Sequence, residues 1–367
     1  MVYQPKFYYR RDILKSVERN GNTVVLKESL ILSPTPKNGF TIHPLFVDEN
    51  GNELEYALFA AYESGIEAAD GTTYQHDNVT MDDDTKLCSY AEVKPISGVI
   101  NPLNLDRAKA AAAEIGENWG ITNILVESAN QMLQIVEFGT LNMQEALGNG
   151  ICDIPNDTTK NCASLTGSTN YENGNIEAFV TVNETNGNTT SYNVSGKRAI
   201  SYRGMENPWG NMWRMIDDVK VIGDGTSNGG VVYFYDRYGN WDPSNFMLPN
   251  SSSWVSAMGY DPGYDYIYMP AETNSSTANS ALPVGDSIWI TSNLNGTKAL
   301  LVGGTWAFGL SDGPFYYAAD RDYDSYGRNI NARLMYKMAL SNPYYEDNYE
   351  FWAEHFQQPT DPDEIMT

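Results

Sequence analysis

Cysteine is scarce in this chain of 367 residues: Cys88, Cys152 and Cys162 make an odd count without metal-ligand spacing. That excludes a disulfide-built scaffold, and it leaves Cys152 and Cys162 as either a bridge or reduced thiols. Histidine is equally thin. His43, His76 and His355 lie in different regions and never at paired spacing, so no histidine metal centre is indicated. Basic charge is short as well, with 23 Lys and Arg against 47 Asp and Glu and a net charge of -24. Nucleic acid and anionic membranes both demand cationic surface, so neither is an expected partner. No apolar run approaches the length of a transmembrane helix, and residues 1–20 are too polar and Tyr-rich for a signal peptide. Neither a Gly-X-Ser-X-Gly elbow nor a phosphate-cradling glycine loop occurs.

What the chain has in abundance is tyrosine, and one stretch mixes it informatively with Ser, Gly and Asp. Residues 299–337 read ALLVGGTWAFGLSDGPFYYAADRDYDSYGRNINARLMYK. Leu300, Leu301 and Val302 form an apolar run that predicts a buried strand, punctuated by Gly303 and Gly304 before Trp306. Ile330, Ala332, Leu334 and Tyr336 alternate with polar neighbours and predict a half-buried strand. Between them, Phe308, Tyr316, Tyr317, Tyr323 and Tyr326 mix with Ser311, Asp312, Asp320, Arg321, Asp322, Asp324 and Ser325. Antibody paratopes have this composition, because Tyr offers large, rigid, amphipathic area at low entropic cost.

The blocks GGTW, GPFYY and RNINARLMYK resemble the C-terminal variable region of proteins diversified by retroelements, which carry a C-type lectin-like fold related to formylglycine-generating enzymes. SYRGMENPWGNMWRMIDD, residues 201–218, is similar to the core block of the same family, found in phage tail receptor-binding proteins. In that family a reverse transcriptase rewrites adenines in AAY codons, and the resulting NNY codons cannot encode Met, Trp, Lys, Glu or Gln. None of those five types occurs in residues 307–327. The resemblance implies variable, ligand-facing positions at Ala307, Phe308, Leu310, Asp312, Tyr317, Ala318, Asp320, Arg321, Tyr323, Asp324, Tyr326 and Gly327. It implies a fixed scaffold at Trp209, Trp213, Gly303, Gly304, Trp306, Ile330 and Arg333. The expected fold class is therefore α+β, C-type lectin-like, with mixed antiparallel strands, two helices and long loops. The chain departs from typical members by continuing well past RLMYK.

Taken in order, residues 1–36 are expected to be an attachment arm or a small strand-rich cap, with a turn at Asn20-Gly21-Asn22. Residues 37–340 make the main domain. It opens with a hairpin about Glu49-Asn50-Gly51-Asn52, followed by a solvated acidic turn at Asp82, Asp83 and Asp84. Helices are predicted over 103–116 and 121–138, with glycine stops at Gly116 and Gly139. A polar insertion over 153–196 predicts a protruding β-ribbon, and the variable region spans about 305–328. Residues 341–367 read as an acidic tail with a short docking helix near Phe351, Trp352 and Phe356. Further strands are expected at 231–235 and 288–292.

Enzyme chemistry of the related oxidases is not expected, because no cysteine follows Cys162. By resemblance the function is binding of a host cell-surface protein or glycan, at the tail tip of a phage or prophage particle. Other tail proteins would be neighbours, and the chain would assemble as a homo-oligomer, a trimer at family level. No cofactor is implied; calcium is compatible but not required. Two other readings stand beside this one: a structural tail or decoration protein with an invariant loop, and a polysaccharide depolymerase using a carboxylate pair.

Overall fold

The computed structural model describes residues 1–72, 80–98, 102–155, 159–169, 178–183, 189–192, 196–227, 229–275 and 282–337, with 178–183 and 189–192 described by their backbone alone. The acidic tail, His76 and His355 lie outside the described residues.

The run Trp213–Asp224, rich in apolar and β-branched residues, is the backbone of the architecture. Its first five residues are buried outright, and from Val219 onward buried residues alternate with partly exposed ones. It pairs antiparallel with Gly230–Tyr235, which in turn pairs with Trp241–Met247. On its other edge it pairs with Asn295–Val302. The sheet continues through the short strands Tyr317–Ala318 and Ser287–Trp289 before reaching Ser253–Tyr260.

There the N-terminal hairpin of Tyr8–Arg19 and Asn22–Ser33 joins, through Val24 opposite Gly259 and Thr23 opposite Tyr260. With Thr41–Ile42 beyond it, and Pro270–Asn274 and Ile330–Asn331 pairing at the sides, the sheet holds 12 strands. In a smaller sheet of 4 strands, Val2–Pro5 and Leu334–Tyr336 lie on either side of Tyr56–Phe59, with Trp119–Ile121 at the edge. Strands from residues 1–36 are thus woven into both sheets.

The expected α+β, C-type lectin-like arrangement is overturned by this architecture. Strand outweighs helix 38% to 12%, and one sheet of 12 strands dominates. The physical reason is continuity of pairing: the strands between 213 and 302 are joined into one sheet, directly or through Tyr317–Ala318, and the N-terminal hairpin extends it.

Three α-helices, not two, accompany the sheets among the described residues. α1 (Leu105–Ala113) is capped by Asn104, whose side chain accepts from the Arg107 N–H. α2 (Ile124–Phe138) is capped in the same way by Asn123 and closes on Gly139 in the left-handed region, at φ 65°. α3 (Met143–Leu147) is a short helix with no counterpart in the sequence-based expectations. The expected hairpin near residue 50 is reduced to a single bridge, Val47 to Glu53, because Pro44–Phe46 forms a 3-10 turn capped by His43. In the insertion, Ala178–Asn183 pairs with Thr189–Tyr192 and with Arg198–Ala199 as a ribbon, while residues 184–188 lie outside the described residues. Cys88, Cys152 and Cys162 are buried and form no disulfide, which settles the sulfur chemistry of Cys152 and Cys162 as thiols.

Two apolar cores lie on opposite faces of the central strands. Leu300, Val302 and Tyr317 enter the core that holds α2, whereas Leu301, Ala318 and Met215 enter the core that holds α1. Burial on both faces explains why residues 300–302 read as an uninterrupted apolar run. It also fixes what the neighbouring segment can expose.

Candidate functional site

Residues 303–337 leave and re-enter the sheet through a buried frame. Gly303 and Gly304 turn the chain at φ 88° and 82°. A Cβ on Gly304 would meet Asp312 Oδ1 at 2.0 Å, so this position requires glycine. The Trp306 N–H donates to the Asn211 carbonyl at 3.0 Å, and the Gly210 N–H donates to the Gly303 carbonyl at 2.8 Å. Trp209, Trp213 and Trp306 are all buried. The block at 201–218 therefore packs against the start of this segment.

The far end of the segment is anchored more deeply than its alternating pattern predicts. Ile330, Asn331, Ala332, Arg333 and Leu334 are all buried, not half-buried. Polar residues survive there because each has partners. Asn331 bonds the backbone of Ser64 and Ile96, and Arg333 donates to the carbonyls of Ala60, Ala61, Glu206 and Asn207. Burial lowers the Arg333 pKa to about 10, still well above neutrality. Glu63, buried nearby, accepts from Asn211 Nδ2 and the Met212 N–H, and burial pushes its pKa up to about 7.

Between these anchors, the expected ligand-facing residues divide. Phe308, Leu310, Asp324 and Tyr326 are exposed, and Ala307, Asp320, Arg321, Tyr323 and Gly327 are partly exposed. Asp312, Tyr317 and Ala318 are buried, which corrects their assignment as ligand-facing. Tyr317–Ala318 is an internal strand, paired with both Asn295–Val302 and Ser287–Trp289. The Tyr317 hydroxyl donates to the Tyr268 carbonyl at 2.9 Å. Asp312 accepts from the Thr305 N–H at 3.0 Å, and burial raises its pKa well above the ordinary carboxylate range.

The exposed residues do not stand alone. The Phe308 ring packs against Trp213 at 5.0 Å between centroids and stacks at 12° on Trp289, which is 48% exposed. Arg321 lies over the Trp213 ring at 5.8 Å and pairs with Asp320 at 3.3 Å. Lys298 pairs with Asp322 at 2.5 Å, and the Tyr323 hydroxyl donates to the Val219 carbonyl at 3.3 Å. Tyr326 packs on Gly98, whose N–H donates to the Gly327 carbonyl at 2.9 Å. Trp289 belongs to this surface although the sequence-based site did not include it. Its signal in the sequence is the alternation of Ser287–Trp289, where Ile288 is buried and Trp289 is exposed.

Such a surface suits noncovalent recognition: aromatic faces for contact area, with a carboxylate and a guanidinium for polarity. Among the described residues, no group of three or more His, Cys, Asp or Glu side chains is gathered as a metal site. No described helix is long and apolar enough to cross a membrane. Compared with known proteins, the chain matches no family model and no curated protein.

Proposed function

We propose that this is a ligand-binding protein whose receptor-binding surface is built from the exposed part of residues 307–327 together with Trp289. The observation that carries this reading is the separation of roles within one short segment. Exposed Phe308, Leu310 and Tyr326 sit on a backbone held by buried groups such as Asp312, Tyr317 and Arg333. Side chains on the outer positions can change without disturbing those buried partners, as binding loops do on a rigid framework. The blocks quoted from the sequence support retroelement diversification of the outer positions and display at a phage or prophage tail tip. Several copies on one particle would raise weak single-site binding by roughly 10² to 10⁴ through avidity.

The test is binding of purified protein to host cell envelopes. Tyr326→Ala and Trp289→Ala, each melting within a few degrees of wild type, are expected to weaken binding about ten-fold or more, as loss of an aromatic anchor does. Binding unchanged in both variants would contradict the assignment of this surface.

A further inference from the structure

Phe308 occupies a place that another ring can fill. Its phenyl centroid lies 6.2 Å from Trp289, 5.0 Å from Trp213 and 6.4 Å from Tyr316. On the rings that touch it, Trp213 Nε1 and Tyr316 Oη are shielded from water and have no hydrogen-bond partner among the described residues. The same holds for Asp320 Oδ1, whose carboxylate pairs with the Arg321 that lies over Trp213. The Trp213 N–H and the Tyr316 oxygen are close enough to influence each other without making a full hydrogen bond. Trp213 and Tyr316 are 2% and 1% exposed, so these groups are enclosed rather than wet. Buried polar groups left without partners cost stability, and a phenyl ring satisfies none of them.

We propose that Phe308 is a removable plug in a slot for a neutral saccharide ring, an inference that rests on the binding role assigned to this surface. A pyranose has a C–H face that can lie against Trp289 and hydroxyls that both donate and accept. It can therefore give an acceptor to the Trp213 N–H and a donor to Asp320 Oδ1, which a purely aromatic ligand cannot do. Acidic sugars fit less well. The chain carries a net charge of -24, and the Asp320 carboxylate, 3.3 Å from Arg321 Nε, would repel a second anion there. Because position 308 belongs to the candidate variable set, exchange of this one residue would open or close the slot.

The test uses Phe308→Ala and Phe308→Ser, titrated calorimetrically with the methyl glycosides of glucose, galactose and mannose. At least one glycoside is expected to bind either variant about ten-fold or more tightly than wild type, and Trp289→Ala in the same background is expected to abolish the gain. No gain in variants that melt like wild type overturns the slot, and so does a gain that survives loss of Trp289. If both variants unfold, the milder Phe308→Leu and Phe308→Val are titrated with the same glycosides. A gain over wild type that is lost with Trp289→Ala supports the slot, and no gain in either overturns it. Envelope binding is measured in parallel. Trp289-dependent envelope binding without glycoside binding overturns the saccharide and leaves the receptor surface standing. Glycoside binding without envelope binding supports the slot and overturns the receptor surface.

Discussion

Asp312 shows how one side chain decides what its neighbours can be. Its carboxyl accepts the Thr305 N–H, presses on Gly304 and is wholly buried. Replacing it by Ala leaves the Thr305 N–H without that acceptor and opens space beside Gly304, so Asp312→Ala is expected to cost about 1–3 kcal/mol. Denaturant titration checks this against Asp324→Ala, an exposed site on the same segment where the cost should lie within about 0.5 kcal/mol. From sequence the two aspartates look alike, since both stand among Tyr, Ser and Gly. Only the turn at Gly303 and Gly304, which brings residue 312 back against the chain, separates them.

At the scale of elements, Glu63 ties the chain just beyond Tyr56–Phe59 to the turn at Asn211 and Met212. Its folded pKa of about 7 stands above the ordinary value of 4.5, so between those values the folded chain holds a proton that the unfolded chain releases. Stability from this group is therefore present at low pH and is lost as pH rises through about 7, with a slope of at most about 1.4 kcal/mol per pH unit. His43, buried and lowered to about 3, acts in the opposite sense: its contribution is lost as pH falls below the ordinary histidine value. The stability difference between wild type and Glu63→Gln isolates the Glu63 contribution, and it should fall from about pH 5 to about pH 7 and level above.

Much at this scale is legible in sequence. Gly139 marks the end of α2, and the apolar run at 300–302 marks a buried strand, whereas α1 stops at Ala113, short of the expected Gly116. The alternation at 330–336 misleads, because Asn331 and Arg333 are satisfied inside the protein instead of facing water.

For the whole molecule, pairing runs from the N-terminal hairpin to the segment at 317–318 within one sheet. Local pattern reveals individual strands but not their neighbours, since Val24 meets Gly259 across most of the chain. That is why the fold class expected from sequence differs from the one observed, and why composition alone could not tell Tyr317 from Tyr326. The same pairing divides residues 307–327 into exposed positions, proposed above as the variable ones, and buried positions that pack inside. Deep sequencing of this locus in a growing host population tests that division most directly. Variation concentrated at Phe308, Leu310, Arg321, Asp324 and Tyr326, with Asp312, Tyr317 and Ala318 unchanged, is the predicted result. A segment as invariant as its flanks, or one varying equally at the buried positions, would contradict it.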